Sequence, residues 1–80
     1  MATDGRQRLQ RLRWLCRRGM KELDVFLEAF LAREAPRLEQ GAFPEFETLL
    51  ACEDDQLWDW LQGRAPAPNT LAPLVHAIRL

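Results

Sequence analysis

His76, Cys16 and Cys52 are the side chains with which this chain could do nucleophilic or metal chemistry, and their placement argues against both. The chain has no serine and one histidine, and nothing in the spacing of His76 and the two cysteines suggests a Cys–His pair. Three zinc-type ligands are present but unclustered. The acidic run EDDQLWDW resembles a metal loop only in charge. Asp54, Asp55 and Asp59 lack EF-hand spacing, and the first two suit the start of a helix. There is no glycine-rich loop to cradle a phosphate. The expectation is a non-enzyme that holds no metal and no stably bound cofactor, with any chemistry belonging to a partner.

The stretch CRRGMKELD offers binding chemistry instead. Apolar Leu9, Leu12 and Cys16 set the inward face of a first helix, with Leu15 on its flank. Gly19 is expected as the left-handed residue that closes that helix. Arg17 and Arg18 then sit at a helix C-terminus and Glu22 in the first turn of the next, each on the favourable side of its dipole. A well-made αα-hairpin needs no more than this. Helical projection adds a feature that a hairpin does not require: at about 100° per residue Trp14 points away from the core, flanked by Arg11 and Arg18. An aromatic among arginines is a contact patch, with cation–π stabilisation of roughly 0.5–1 kcal/mol in the free protein. Candidate partner-binding residues are therefore Arg11, Trp14, Arg17, Arg18, Gly19 and Glu22.

Charge is segregated in the same sense. Residues 1–21 carry six arginines and a lysine against Asp4, net +6, and residues 22–80 carry net −7. One basic edge on a chain of net charge −1 favours an acidic or phosphate-bearing partner, although the solvated face of a first helix would look the same. Nucleic acid is not the expected partner, because the second and fourth helices are acidic on their outer sides.

Helices must position these residues, and the apolar spacing gives no credible strand. Leu23, Phe26, Leu27, Phe30 and Leu31 form the cleanest helical face, which Pro36 is expected to stop at Ala35. Pro44 suits the first turn of a third helix carrying Phe46, Leu49 and Leu50, with Phe43 packing just before it. Asp54 is expected to cap a fourth, with Leu57, Trp60 and Leu61 inside and Gly63 at its end. After the stiff RAPAPN segment, Asn69 caps a fifth bearing Leu71, Leu74, Val75 and Ile78, with Pro73 in its first turn. The fold class is all-α: a small single-domain five-helix bundle over residues 1–80.

Eighty residues allow one core. At 48% hydrophobic and 29% charged the chain reads as globular. Two cysteines 36 positions apart form no disulfide framework and point to reduced, cytoplasmic thiols. Arginines stand where a signal peptide needs its apolar core, and no apolar run approaches the ~20 residues of a membrane span.

WLCRRGMKELD, with LLACEDDQLWDWL downstream, resembles the bacterial FAD assembly factors called SdhE, whose mitochondrial counterpart is succinate dehydrogenase assembly factor 2. The resemblance runs from about Arg6 to Ile78, and the family's RGxxE motif falls on Arg18, Gly19 and Glu22. Asp55 departs from it, standing where the family pattern has proline. The resemblance implies a five-helix bundle, monomeric when free. It would bind the flavoprotein subunit of succinate dehydrogenase, with fumarate reductase as a second client, and promote covalent attachment of FAD to a histidine of that subunit. The flavoprotein would perform the attachment itself. On that basis the expected roles are that Gly19 lets the partner's backbone approach, Arg17 and Arg18 bond its carboxylates or carbonyls, Glu22 orders a polar group near its flavin pocket, and Trp14 supplies contact area. The competing class is a binding module with another client, such as an antitoxin-type inhibitor.

Overall fold

The computed structural model describes residues 2–79, with side chains from Gly5 onward. Five helices follow in order: α1 (Ala2–Leu15), α2 (Lys21–Glu39), α3 (Phe46–Leu50), α4 (Asp54–Gln62) and α5 (Ala72–Arg79). No strand occurs among the described residues. The bundle expected from the spacing is the fold observed.

α1 lies antiparallel on α2. Gly5, near the start of α1, is so close to the end of α2 that a Cβ there would sit 2.6 Å from the Glu39 carbonyl oxygen. α4 and α5 pack on each other and on α2, so the longest helix is shared by the whole bundle. The apolar stripes meet along it: Leu12 from α1, Cys16 just beyond its end, Leu23, Leu27, Phe30 and Leu38 from α2, and Phe46 from α3 are all fully buried. Phe30 is the hub, with the rings of Phe43 and Phe46 set edge-on to it at 5.1 and 5.2 Å between centroids.

Several element boundaries differ from those the sequence suggests. α2 does not stop at Ala35 but carries Pro36 within it and continues to Glu39. A proline there costs one backbone hydrogen bond. The following turn is held by fully buried Leu38, whose carbonyl accepts from Arg8 Nη1 at 2.6 Å. Pro44 lies in the turn ahead of α3, not within its first turn. α4 is capped by Glu53, whose backbone N–H donates to Gln56 Oε1 at 3.2 Å, so Asp54 becomes the first helical residue. Asn69 does not cap α5. The turn before that helix is closed by the Pro68 carbonyl, which accepts from the N–H groups of Leu71 and Ala72, both at 2.8 Å. Gly63 ends α4 in the left-handed conformation, as its position suggests (φ 77°).

Phe43 also has φ +54°, which a residue with a side chain adopts only under constraint. Its ring is held on Phe30, and its carbonyl accepts both the Phe46 N–H (3.0 Å) and Arg8 Nη2 (2.8 Å). These contacts fix the α2–α3 connection and hence where α3 presents its far end.

Candidate functional site

α1 ends at Leu15, so Gly19 (φ 86°) is left-handed but lies four residues beyond the helix instead of immediately after it. Residues 16–20 form a corner. It is tied at one end by the Cys16 N–H to the Leu12 carbonyl (2.9 Å), and across it by the Arg18 N–H to Asp24 Oδ1 (2.8 Å). Cys16 itself is the buried floor of the corner.

The early end of α1 re-aims Arg18. Off the helix it no longer stands one turn from Trp14, and its guanidinium folds inward, leaving the side chain 14% exposed. Nε donates to Asp54 Oδ1 at 2.6 Å. Nη1 donates to the carbonyls of Leu15 (3.2 Å) and Leu50 (2.5 Å), and Nη2 to that of Cys52 (2.7 Å). The outward Arg11–Trp14–Arg18 cluster is therefore corrected: Arg18 belongs to the interior edge of the corner. Nor does Trp14 carry a cation–π contact among the described residues. Those described are Arg33 over Phe30 and Arg37 over Phe43.

The remaining candidates face solvent. Trp14 is 75% exposed. Arg17, Gly19 and Glu22 are exposed, and neither Arg17 nor Glu22 forms an ion pair among the described residues. Arg11 is exposed with only a long contact, 3.8 Å, to Glu47. Trp14, Arg17 and Arg18 line an open cleft of about 540 Å³ together with Cys52, Glu53 and Asp54 of the α3–α4 junction. Arg17 also borders a smaller cavity of about 250 Å³ with Arg13 and Glu28.

The basic edge is smaller than the sequence suggests, because Arg8 is consumed internally. Its side chain is 12% exposed and bonds Glu47, Leu38, Ala42 and Phe43. Arg6, Arg11, Arg13 and Arg17 remain outward.

The reactive side chains stay apart. Burial pushes the Cys16 thiol up to about 12 despite the opposing charge of Arg18, so it is protonated at neutral pH. Half-buried Cys52 lines the Trp14 cleft, while exposed His76 lines a different one beside Trp60 and Arg79. No cluster of three His, Cys, Asp or Glu side chains suited to a metal occurs among the described residues. None of the described helices is long and apolar enough to cross a membrane.

Sequence reasoning missed Asp54 and Asp24 as partners of the corner. The signal was there in part: Asp54, expected only as a helix-start residue, and a motif arginine one residue before a glycine.

Comparison with known proteins gives a consistent picture. Residues 10–80 match the family described as flavinator of succinate dehydrogenase. A protein of Legionella pneumophila (strain Paris) named FAD assembly factor SdhE is 41% identical over 76 residues, covering 95% of both chains. Its namesake in Xylella fastidiosa (strain 9a5c) is 44% identical over 75 residues, covering 89% of this chain and 74% of that one. No solved structure matches the chain.

Proposed function

We propose, from the premise that this chain belongs to the family of succinate dehydrogenase flavinators, that it binds the flavoprotein subunit of succinate dehydrogenase and promotes covalent attachment of FAD to it. The flavoprotein of fumarate reductase is a second client on the same reading. The observation that carries the reading is the corner between α1 and α2. It presents an exposed Trp14, a cation at Arg17 and an anion at Glu22, the charges unspent among the described residues.

Such a surface suits association with a folded protein. An exposed tryptophan gives contact area at small entropic cost, and charges left free in the monomer become charge-assisted hydrogen bonds on docking. The left-handed Gly19 has nothing within 4 Å of where a Cβ would lie, so its outer side is open to an approaching backbone. The Cys16 thiol is buried and protonated, His76 lies in another cleft, and Cys52 has no histidine beside it in the Trp14 cleft, so on this reading bond formation falls to the partner. The helper binds the flavoprotein conformation that is competent for attachment and raises its population. It holds no FAD of its own, and contacts the cofactor only through the partner.

The test is to mix the purified chain with apo-flavoprotein and FAD and follow covalent flavin by in-gel fluorescence. Glu22→Ala and Trp14→Ala, both on exposed side chains, should keep wild-type melting and lose flavinylation rate. Full flavinylation with both variants refutes the assignment of the corner. Equal flavinylation with and without the wild-type chain refutes the function.

A further inference from the structure

We propose that Arg18 and Asp54 act as a positioning pair. They clamp the motif corner onto the α3–α4 junction, so that Trp14 and Arg17, and not Arg18, meet the partner. The proposal rests on the corner being the partner-binding surface and assigns a division of labour within it.

A guanidinium has five N–H donors. Arg18 directs donors at four acceptors: the carbonyls of Leu15, Leu50 and Cys52, and the Asp54 carboxylate. These come from the end of α1, the end of α3, the α3–α4 link and the first residue of α4, while the Arg18 backbone N–H is held by Asp24 of α2. One residue thus gathers four helices. So committed and so little exposed, its head has almost nothing left to offer a second protein. Both arginines line the larger cleft, but Arg17 is exposed, without an ion pair among the described residues, and borders the smaller cavity as well.

Arg18 immediately precedes left-handed Gly19, so fixing its head fixes where the corner's backbone turns and how the first turn of α2, with Glu22, is set. A corner ordered beforehand need not be ordered on binding, which preserves affinity. Lysine cannot substitute, because a single ammonium cannot span the fork of acceptors that a planar guanidinium fills. Asp54 is free for this duty because Glu53, one residue earlier, caps α4.

The test uses the full chain and the apo-flavoprotein subunit, with Asp54→Asn, Arg18→Lys, Arg18→Ala and the double variant Arg18→Ala/Asp54→Asn. All are measured well below their melting midpoints, with helicity checked by circular dichroism. Affinity is measured by calorimetry, and the amide signals of Gly19 and Glu22 in the free chain by NMR. Asp54→Asn is expected to weaken binding about tenfold and to displace both amides; the double variant should bind no worse than Arg18→Ala, because the two side chains act as one unit. Arg18→Lys should not restore affinity. Wild-type affinity in Asp54→Asn alongside loss in Arg18→Ala would mean that Arg18 touches the partner, and overturns the proposal. Unmoved amides in Asp54→Asn overturn it too, since the pair would then not set the corner. If the wild-type chain fails to bind the flavoprotein at all, the partner reading falls, while the amide shifts still decide whether the pair positions the corner. Should Arg18→Ala not fold, Arg18→Lys and Asp54→Asn decide the matter between them.

Discussion

Arg8 donates twice to the carboxylate of Glu47, Nε to Oε2 at 2.9 Å and Nη2 to Oε1 at 3.1 Å, joining the first helix to the third. The same guanidinium caps the loose carbonyls of Leu38, Ala42 and Phe43 where α2 ends. Its bonds hold the Glu47 carboxyl below its ordinary value of 4.5, against the opposing effect of burial. A depressed carboxylate contributes stability that is present above 4.5 and lost as pH falls through the lowered folded value. Urea titrations of wild type and Glu47→Gln should therefore differ at pH 7 and converge in acid below that value. A constant gap across the range would mean that the pair contributes shape, not charge.

Gly5 gives α1 a contact with a measurable consequence on α2. Alanine in its place would gain about 1 kcal/mol of helix propensity but drive a methyl group to 2.6 Å from the Glu39 carbonyl oxygen. Backbone cannot swing aside as a side-chain tip can, and overpacking of this kind costs about 1–3 kcal/mol. The overlap prevails, and Gly5→Ala should lower the melting temperature by several degrees. A rise would show that α1 slides along α2 at no cost.

The helices were legible because their apolar residues recur at helical spacing, from Leu9 and Leu12 through Leu74 and Ile78, and these are buried except for Phe26 and Trp60, which are half-buried at the edge of the core. What periodicity carries poorly is where a helix stops. Pro36 looks like a terminator by local rule, yet Leu38 beyond it is needed in the core, and burial outweighs one missing hydrogen bond. The corner was legible in the same partial way. Exposed Trp14 follows from projection alone. The direction of Arg18 depends on carbonyls at Leu50 and Cys52 and a carboxylate at Asp54, 32 to 36 positions away, which no local pattern encodes. Arg8 escaped for the same reason. An arginine that serves distant carbonyls reads, in sequence, like any other member of a basic helix.

The two thiols should react very differently. Cys16 is fully buried and its thiol is pushed up to about 12, whereas Cys52 is half-buried, with its Sγ only loosely bonded to the Thr48 carbonyl at 3.6 Å. A thiol reagent at pH 8 should titrate one group promptly and the second only on unfolding. The raised value also has a linkage consequence. It stabilises the fold fully below the ordinary thiol value of 9.0, and that contribution is lost as pH rises from there towards 12. Cys16→Ala loses packing, yet its stability should fall less steeply above pH 9 than that of the wild type. Two promptly reacting thiols in the native protein would place Cys16 within reach of solvent.

Trp14 offers the sharpest separation of binding from folding. Its side chain is three-quarters exposed and, unlike Phe30 or Trp58, is packed on no aromatic neighbour among the described residues. Surface substitutions of this kind usually change stability by less than about 0.5 kcal/mol, so Trp14→Ala should melt as the wild type does. An aromatic anchor buried at the centre of an interface is worth about 2 kcal/mol or more, so the same variant should bind the flavoprotein at least about 30-fold more weakly. Trp14→Phe, which keeps the ring but loses area, should fall between. The fluorescence of Trp14, obtained as the difference between the wild type and Trp14→Phe, should have water-exposed emission in the free chain and shift to the blue on complex formation. A Trp14→Ala variant that binds as tightly as the wild type, with an unshifted spectrum in the complex, would move the contact surface away from this end of α1.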